Sequence, residues 1–166
     1  MKSIAKFHVR VDDRLIHGQT LVAWCPTLKI QEIIAVDDAI AQNPVLKSIM
    51  TMSVPKNYQT SIVTVNEAKE LLKEESGKNR LLILKSASHL QELKEEITGC
   101  DEIILGNLAK RENTPYNLPG AAGMFYLSDE DVNTIDQIVS AGIQVTFQQM
   151  PNSAFTKWET FRKSIK

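Results

Sequence analysis

Short apolar segments alternate with helix-like segments along almost the whole chain, and this order constrains its fold more than any other feature. Several of the apolar segments have apolar residues at consecutive positions, which is typical of strands covered on both faces. The strand candidates span residues 4–9, 32–37, 61–65, 80–85, 102–106 and 143–147, with a shorter candidate at 124–127. The sequence therefore predicts an α/β protein with an open, twisted, mostly parallel sheet of about six or seven strands and helices on both faces.

Capping residues predict where the intervening helices begin. Asn43 stands before a proline and a periodic apolar pattern, and Asn66 is the predicted cap of the next helix. Ser88 with Gln91 is predicted to form a capping box, and Ser128 heads an acidic first turn. These signals support helices between the strands.

Two segments depart from the alternation. Residues 107–123 are too long and too rich in Pro and Gly for a simple connection, and loops of this kind are often functional or mobile. Near the C-terminus Phe155, Trp158, Phe161 and Ile165 recur at helical spacing. We expect this stripe to dock a terminal helix on the body of the protein.

Length, charge and cysteine content exclude several classes of protein. The 166 residues have the length of one domain, and we expect residues 1–166 to form it. With 19 basic and 20 acidic residues the net charge is −1, so no global charge favours nucleic acid or an anionic membrane surface. Cys25 and Cys100 lie far apart without C-x-x-C spacing, which indicates thiols in a reducing compartment rather than a disulfide or a zinc site. The chain lacks a signal-peptide pattern and an apolar run of bilayer length, so we expect a cytoplasmic protein.

Residues 10–19, RVDDRLIHGQ, concentrate charged and polar side chains where the first strand ends. In open α/β sheets, ligands bind beyond the carboxyl ends of the strands, and a helix is predicted to follow at 19–24. The free N–H groups at its start favour an anion, and Gly18 lets the backbone approach a ligand closely. Arg10 and Arg14 add fork-shaped donors that suit phosphate. The loop is therefore predicted to bind a phosphoryl group.

His17 is the candidate nucleophile of this loop. A histidine side chain is nucleophilic near neutral pH, and either Asp12 or Asp13 is placed to orient one ring nitrogen and leave the other free. Transfer between nitrogen nucleophiles needs mainly positioning and charge stabilisation, so no cofactor or metal ion is expected. Ser86, just beyond the fourth strand, is a further candidate for contact with the phosphoryl group.

The segment Arg10–Thr20, RVDDRLIHGQT, closely resembles the signature of the B component (EIIB) of the mannose/fructose/sorbose family of bacterial phosphotransferase-system (PTS) sugar transporters. Members of that family typically carry Arg-Ile-Asp-Asp-Arg-Leu-Ile-His-Gly-Gln-Val after the first strand, so only Val11 and Thr20 differ here. The likeness extends to the chain length, the order of strands and helices, and the segment AVDDAIAQNP at 35–44.

The resemblance implies a phosphohistidine carrier in sugar uptake, with the activity of a protein-phosphohistidine–sugar phosphotransferase. His17 matches the phosphorylated histidine, Arg14 the residue that helps to hold the phosphoryl group, and Asp12 and Asp13 the supporting acids. The implied partners are the phosphorylated EIIA component, the membrane components EIIC and EIID, and the imported sugar. The oligomeric state stays open, with a homo-oligomer as one alternative.

The pair Gly106-Asn107 departs from the Asn-Val-Gly-Gly sequence that many family members carry after the fifth strand. Branches of the family that resemble the N-acetylgalactosamine transporters carry a Gly-Asn pair there. The resemblance therefore points to N-acetylgalactosamine as the sugar.

Two other classes of function compete with this interpretation. A receiver-like signalling domain, phosphorylated on aspartate with Mg²⁺, would account for Asp12, Asp13 and Lys85, but it leaves His17 unexplained and lacks an acceptor aspartate after the third strand. A nucleotide-binding Rossmann turn requires G-x-G-x-x-G, which is absent. We rank the carrier first, the receiver second and the nucleotide-binding protein third.

Overall fold

The computed structural model of the protein describes residues 5–119 and 124–165. Position 4 of the first predicted strand and positions 120–123 of the predicted long loop lie outside the described residues. Among the helices that are described, none has both the length and the apolar character needed to cross a bilayer.

Seven strands form one sheet, and two others form a separate hairpin. The strands are β1 (Phe7–Asp12), β2 (Glu32–Val36), β3 (Gln59–Val63), β4 (Arg80–Leu84), β5 (Glu102–Asn107), β6 (Tyr116–Asn117), β7 (Tyr126–Leu127), β8 (Val145–Phe147) and β9 (Thr156–Lys157). The sheet order is β3-β2-β4-β1-β5-β8-β9, and every pair is parallel except β8 with β9. The predicted α/β fold is confirmed, but the candidate at 124–127 contributes only β7, which pairs with β6 rather than with the main sheet.

The first helix follows the polar loop of residues 10–19. It consists of a π-helical turn (Thr20–Trp24) that leads into α1 (Cys25–Thr27). The helix predicted to end before Pro26 in fact runs through it. The backbone stays helical from the π-helical turn into α1, and the N–H of Cys25, just before the proline, donates to the Thr20 carbonyl five residues earlier. The remaining helices are α2 (Asp38–Ala41), α3 (Pro44–Met52), α4 (Val65–Leu72), α5 (Ser88–Glu92), α6 (Asp129–Ser140) and α7 (Trp158–Ile165).

Two of the predicted caps are confirmed. Asn43 Oδ1 accepts hydrogen bonds from the backbone N–H groups of Val45 and Leu46, at 3.1 Å each. Ser128 caps α6 and forms a capping box with Asp131, whose carboxylate accepts from the Ser128 N–H. Both caps lie where a strand or loop turns into a helix, and both use the short oxygen-bearing side chains that favour this position.

Two other predicted caps are wrong. Thr64, not Asn66, caps α4, because Thr64 has extended backbone and its hydroxyl forms a capping box with Glu67. Ser88 is the first residue of α5, which is preceded by Ala87 and has no side-chain cap. Ser88 instead donates its hydroxyl to Ser86 Oγ at 3.0 Å.

The helices cover the sheet as two layers. The first helix, α2 and α3 cover one face, over a buried cluster that includes Ile33, Ile62, Leu81 and Ile83. Helices α4 to α7 cover the other face, over a larger cluster. Because residues of a strand alternate between faces, Arg10 and Asp12 of β1 point toward the layer of the first helix, while the intervening residues point to the other layer.

The C-terminal stripe docks a helix as expected, with one exception. Trp158 and Phe161 are buried, and their rings lie 5.8 and 4.9 Å from the ring of Phe147. Ile165 packs against the same cluster. Phe155 is exposed, because it precedes strand β9 and so lies outside the helical period that the spacing suggested.

Candidate active site

The loop after β1 carries one buried residue in a left-handed backbone conformation. Leu15 has φ +54° and is buried in the cluster beneath the first helix. Its N–H donates to the Asp12 carbonyl at 3.0 Å, and the His17 carbonyl accepts the first helical hydrogen bond from Leu21. This backbone conformation costs about 1 kcal/mol in a residue with a Cβ, and burial of the Leu15 side chain offsets it. The buried side chain of Leu15 therefore holds the loop that carries His17 in place.

Asp12 is the centre of the site, and its side chain has no exposed surface. Its Oδ1 accepts from the backbone N–H and from Nε of Arg14, each at 3.0 Å. Its Oδ2 accepts from a terminal nitrogen of Arg14 at 3.0 Å, from Nε2 of His17 at 3.1 Å, and from Arg10 at 3.4 Å. One buried carboxylate thus joins both arginines and the histidine.

These contacts keep Asp12 ionised. Burial alone would raise the pKa of the carboxyl, but the hydrogen bonds from His17 and Arg14 and the charge of Arg10 outweigh burial and lower the pKa from 3.8 to about 2. Asp12 therefore carries its negative charge throughout the physiological range.

The ring of His17 is oriented by this charge. Its side chain is 17% exposed, and the contact with Asp12 uses Nε2. Within the described parts of the chain, Nδ1 has no hydrogen-bond partner. A carboxylate against Nε2 favours the tautomer that carries its proton there and leaves the lone pair on Nδ1. Of the two acids that the sequence left open, Asp12 is the one that contacts His17.

Arg14 lies beside His17 at the surface. Its side chain is 35% exposed, and it grips Asp12 through Nε and one terminal nitrogen, while the other terminal nitrogen reaches Gln19 Oε1 at 3.4 Å. A guanidinium held bidentately by a buried carboxylate has a fixed plane and direction. Part of its donor edge faces solvent next to the histidine.

Arg10 was predicted to bind the phosphoryl group, and the structure places it beneath the site rather than at its surface. Its side chain has no exposed surface, and its terminal nitrogens donate to the carbonyls of Gln148 and Gln149 at 3.1 and 2.9 Å. The guanidinium carbon lies 4.7 Å from the ring centroid of Trp24. Burial lowers the pKa of Arg10 to about 10, so it stays charged at neutral pH and supports Asp12 from below.

Gly106 provides the space that Arg10 occupies. A Cβ at Gly106 would lie 2.2 Å from the Arg10 guanidinium carbon. The register of β1 against β5 shifts at this point, so that Val11 pairs with Leu105 and Asp12 with Asn107. Such a bulge is a local irregularity that redirects neighbouring side chains.

Asp13 turns away from His17 and contacts the segment that follows β5. Its Oδ1 accepts from the Asn107 amide at 2.7 Å, and its Oδ2 accepts from the Ala109 N–H at 3.1 Å. Asp13 thereby ties the end of β1 to the end of β5. The Gly106-Asn107 pair serves the packing of Arg10 and Asp13, which explains it without reference to a sugar.

The two remaining candidates differ in their position. Gly18 is exposed, and a Cβ there would meet nothing within 4 Å, so the space beside His17 is open. Ser86 lines a cavity of about 300 Å³ together with Asp13, Lys85, His89 and others, and His17 is not among the lining residues. Ser86 is therefore a neighbour of the loop and not a contact of the histidine.

The sequence did not indicate three residues that complete the site. Trp24 donates its ring N–H to the Gln149 carbonyl at 2.8 Å and stacks on Arg10, and Gln148 and Gln149 supply the carbonyls. The hydrogen bonds to the carbonyls of Gln148 and Gln149 join segments more than 100 residues apart in sequence, and the carbonyl groups carry no residue-type signal. A glycine at the end of a strand, Gly106, is a signal of close approach, but from the sequence it was interpreted only as part of the Gly-Asn pair.

Comparison with known proteins identifies the family. The family model of the PTS sorbose subfamily IIB component matches residues 7–166. The chain belongs to this family. As a member, it is a phosphoryl-transfer component of a sugar phosphotransferase system, and the resemblance found in residues 10–20 is confirmed. The match gives no support to the receiver-like alternative.

Individual relatives agree with this assignment. The chain is 24% identical over 147 residues to the PTS fructose-specific EIIB component of Bacillus subtilis, which covers 87% of this chain and 88% of that protein. It is 22% identical over 144 residues to the N-acetylgalactosamine-specific IIB component 1 of Escherichia coli, covering 86% and 89%. The solved structure of the IIBSor domain of the sorbose permease from Klebsiella pneumoniae has the same fold, with a TM-score of 0.83 at 15% identity over 97% and 98% of the two chains.

Proposed function

We propose that this EIIB component accepts a phosphoryl group on His17 from the phosphohistidine of the EIIA component. It then transfers the group to the sugar imported through the membrane components EIIC and EIID. The observation that carries the proposal is the buried, ionised Asp12 that holds Nε2 of His17, because it leaves one ring nitrogen oriented and free at an otherwise accessible site.

The transfer requires one bond to break and one to form at each step. The Nδ1 lone pair of His17 attacks phosphorus, and the bond between phosphorus and the donor histidine breaks, with its electron pair returning to the donor ring. The His17 ring keeps its proton on Nε2 and gains positive charge, which Asp12 stabilises through the 3.1 Å contact. In the second step a sugar hydroxyl oxygen attacks phosphorus, the bond to Nδ1 breaks, and the hydroxyl proton passes to a base on the acceptor side.

The other residues hold the phosphoryl group or the loop. Arg14 places donors beside His17 and stabilises the charge on the transferring oxygens. Gly18 keeps the approach to Nδ1 open, and the backbone N–H groups at the start of the first helix favour the anion. Asp13 holds the loop through Asn107, and Ser86 contributes to the neighbouring cavity.

Residues 1–166 act as one cytoplasmic EIIB domain and use no cofactor or metal ion in the transfer. The relatives include EIIB components named for fructose and for N-acetylgalactosamine. Since the Gly106-Asn107 pair has a packing role, we propose the mannose/fructose/sorbose class of sugars as the substrate class, with N-acetylgalactosamine as the first sugar to test.

Labelling of two histidine variants tests the proposal. Phosphoenolpyruvate, the general phosphocarriers and the A component of the same organism are mixed with the wild type, with His17→Ala or with His89→Ala, and the modified residue is mapped by mass spectrometry in base. We expect labelling of the wild type and of His89→Ala, since His89 lies at α5 and outside the contacts of Asp12. His17→Ala takes no label.

The same variants separate a chemical role from a packing role. Loss of the His17 ring removes one hydrogen bond, so the free energy of unfolding falls by about 1 kcal/mol, and Arg14 still pairs with Asp12. A label that persists in His17→Ala, or a label on an aspartate, contradicts the proposed function.

A further inference from the structure

Helix α3 exposes an apolar stripe that nothing in the described chain covers. None of the residues of α3 is buried, and Val45, Leu46, Ile49 and Met52 are between 47% and 82% exposed. Their spacing places them on one side of the helix. Four of the seven large apolar side chains that are exposed among the described residues therefore lie on this nine-residue helix.

The stripe belongs to the same layer as His17. The first helix, which begins just after His17, and α3 pack over one buried cluster, to which Leu21 and Met50 both contribute. Val22 on the first helix is 79% exposed and is a fifth member of the exposed set. We call Val22, Val45, Leu46, Ile49 and Met52 the α3 surface.

The charge around the α3 surface is mainly positive. The segments that form most of this layer, residues 14–31 and 37–58, contain Arg14, Lys29, Lys47 and Lys56 against Asp37 and Asp38, so they carry a net charge of +2, although the whole chain has a net charge of −1. An apolar centre with a rim of cations complements a partner with an apolar centre and an acidic rim.

We propose that the α3 surface is the docking site of the A component, the protein that donates the phosphoryl group; this inference rests on the function proposed above. A stable protein–protein contact buries about 800 Å² on each partner, and the loop of His17 is polar and small. The large apolar side chains that are exposed in the same layer form the α3 surface. A donor seated there presents its phosphohistidine, which carries about two negative charges, toward Arg14 and His17.

The charge argues against two other occupants. A second copy of this chain in a two-fold contact would oppose two surfaces of net positive charge, with only Asp37 and Asp38 of this layer to pair its four cations. Cytoplasmic loops of membrane proteins carry an excess of lysine and arginine, so they also repel a basic rim. The soluble donor fits the surface better than either.

Donor titrations of phosphoryl transfer test the docking site. The initial rate of labelling is measured against the concentration of the phosphorylated A component of the same organism, for the wild type, Ile49→Asp and Met52→Asp. We expect the half-saturating donor concentration to rise about tenfold or more in both variants, while one phosphoryl group per chain is still reached at high donor concentration. The matched control is Phe155→Asp, an equally exposed apolar residue at the opposite edge of the sheet, which leaves the half-saturating concentration unchanged.

Each other outcome overturns the inference. Unchanged donor dependence in Ile49→Asp and Met52→Asp excludes α3 as the docking site while His17 labelling, and so the proposed function, stands. If these variants instead abolish self-association in sedimentation, or binding to phosphatidylserine vesicles, without a change in donor dependence, the occupant is a second copy or a membrane surface. A wild type that takes no label from the A component overturns the proposed function and the docking site together. Thermal melts of the variants that match the wild type exclude misfolding as the cause.

Discussion

At the scale of single residues, Asp12 determines what His17 can do. The sequence placed two acids next to the histidine, and their types and spacing did not distinguish them. The structure does, because adjacent side chains at the end of β1 point in different directions: Asp12 lies under the first helix and Asp13 faces the end of β5. A buried carboxylate that is shared by two arginines and a histidine holds its charge and fixes the ring.

Replacement of Asp12 by asparagine tests this role. Asp12→Asn keeps the volume but removes the charge that balances Arg10, which has no exposed surface. At pH 7 we expect a loss of about 3 kcal/mol in the free energy of unfolding, measured by urea denaturation. Phosphoryl transfer to His17 slows on the order of a hundredfold, because the ring loses its orientation and the charge that stabilises its phosphorylated form. A variant with normal stability and normal transfer would contradict the role of Asp12.

The pKa of Asp12 gives this prediction a pH dependence. The pKa is lowered from 3.8 to about 2 in the folded state, so the charged carboxylate stabilises the fold above the unfolded value and this contribution is lost as the pH falls through 2. The shift corresponds to about 2 kcal/mol. The difference in unfolding free energy between wild type and Asp12→Asn should therefore shrink between pH 4 and pH 2. A difference that stays constant over this interval would show that the charge of Asp12 has no part in stability.

At the scale of elements, the bulge in β5 positions the site. A glycine at position 106 allows the Arg10 guanidinium to cross the strand, and the register shift that accompanies it brings Asn107 to Asp13. Strand β5 therefore shapes the loop that follows β1. The carbonyls of Gln148 and Gln149 and the ring of Trp24 complete the enclosure of Arg10.

Two glycine substitutions distinguish the packing that supports the site from the open space through which a phosphoryl donor reaches His17. Gly106→Ala places a methyl group against Arg10 and should lower the free energy of unfolding by about 1–3 kcal/mol. Gly18→Ala has open space around it and lies at the start of the first helix, so stability should stay equal or rise by about 0.5 kcal/mol, while transfer slows because the methyl group narrows the approach to His17. Thermal melts and initial transfer rates measure the two effects. Equal melting temperatures for Gly106→Ala and wild type would contradict the packing of Arg10 over Gly106.

Helices and strands were predictable where the local sequence determines them, and less so where tertiary packing determines them. The consecutive apolar runs of β2 and β4 are fully or almost fully buried, as the pattern indicated. The cap of α4 was misplaced by two residues, since Thr64 and Asn66 are both capping residue types and only the backbone conformation of Thr64 selects it. The antiparallel β9 is two residues long and is held by β8, so no periodicity could reveal it.

At the scale of the whole molecule, the sheet separates the site from the larger of the two buried clusters. His17, Arg14 and Asp12 belong to the side of the first helix, while the aromatic cluster of Phe147, Trp158 and Phe161 lies under α7 on the other face. The motif of residues 10–20 predicted the location of the site, because the loops that follow the carboxyl ends of parallel strands lie at the same edge of the sheet. The contacts that bury Arg10 were unpredictable, because they connect residues 138 and 139 positions apart.

A core substitution in α7 tests this separation. Phe161 is buried and its ring lies 4.9 Å from that of Phe147. Phe161→Ala should lower the free energy of unfolding by about 3–5 kcal/mol. At a temperature where the variant is still folded, the rate of transfer to His17 should match that of the wild type. A loss of transfer in the folded variant would show that α7 takes part in the site.

The ring nitrogen of His17 that carries the phosphoryl group decides whether Asp12 orients the nucleophile. Long-range ¹H–¹⁵N spectra of the phosphorylated protein, recorded at basic pH with ³¹P coupling, assign both ring nitrogens. We predict phosphorus on Nδ1 and a proton on Nε2, the nitrogen that contacts Asp12 at 3.1 Å. Phosphorus on Nε2 would mean that the contact with Asp12 breaks before transfer, and it would contradict the orienting role of that carboxylate.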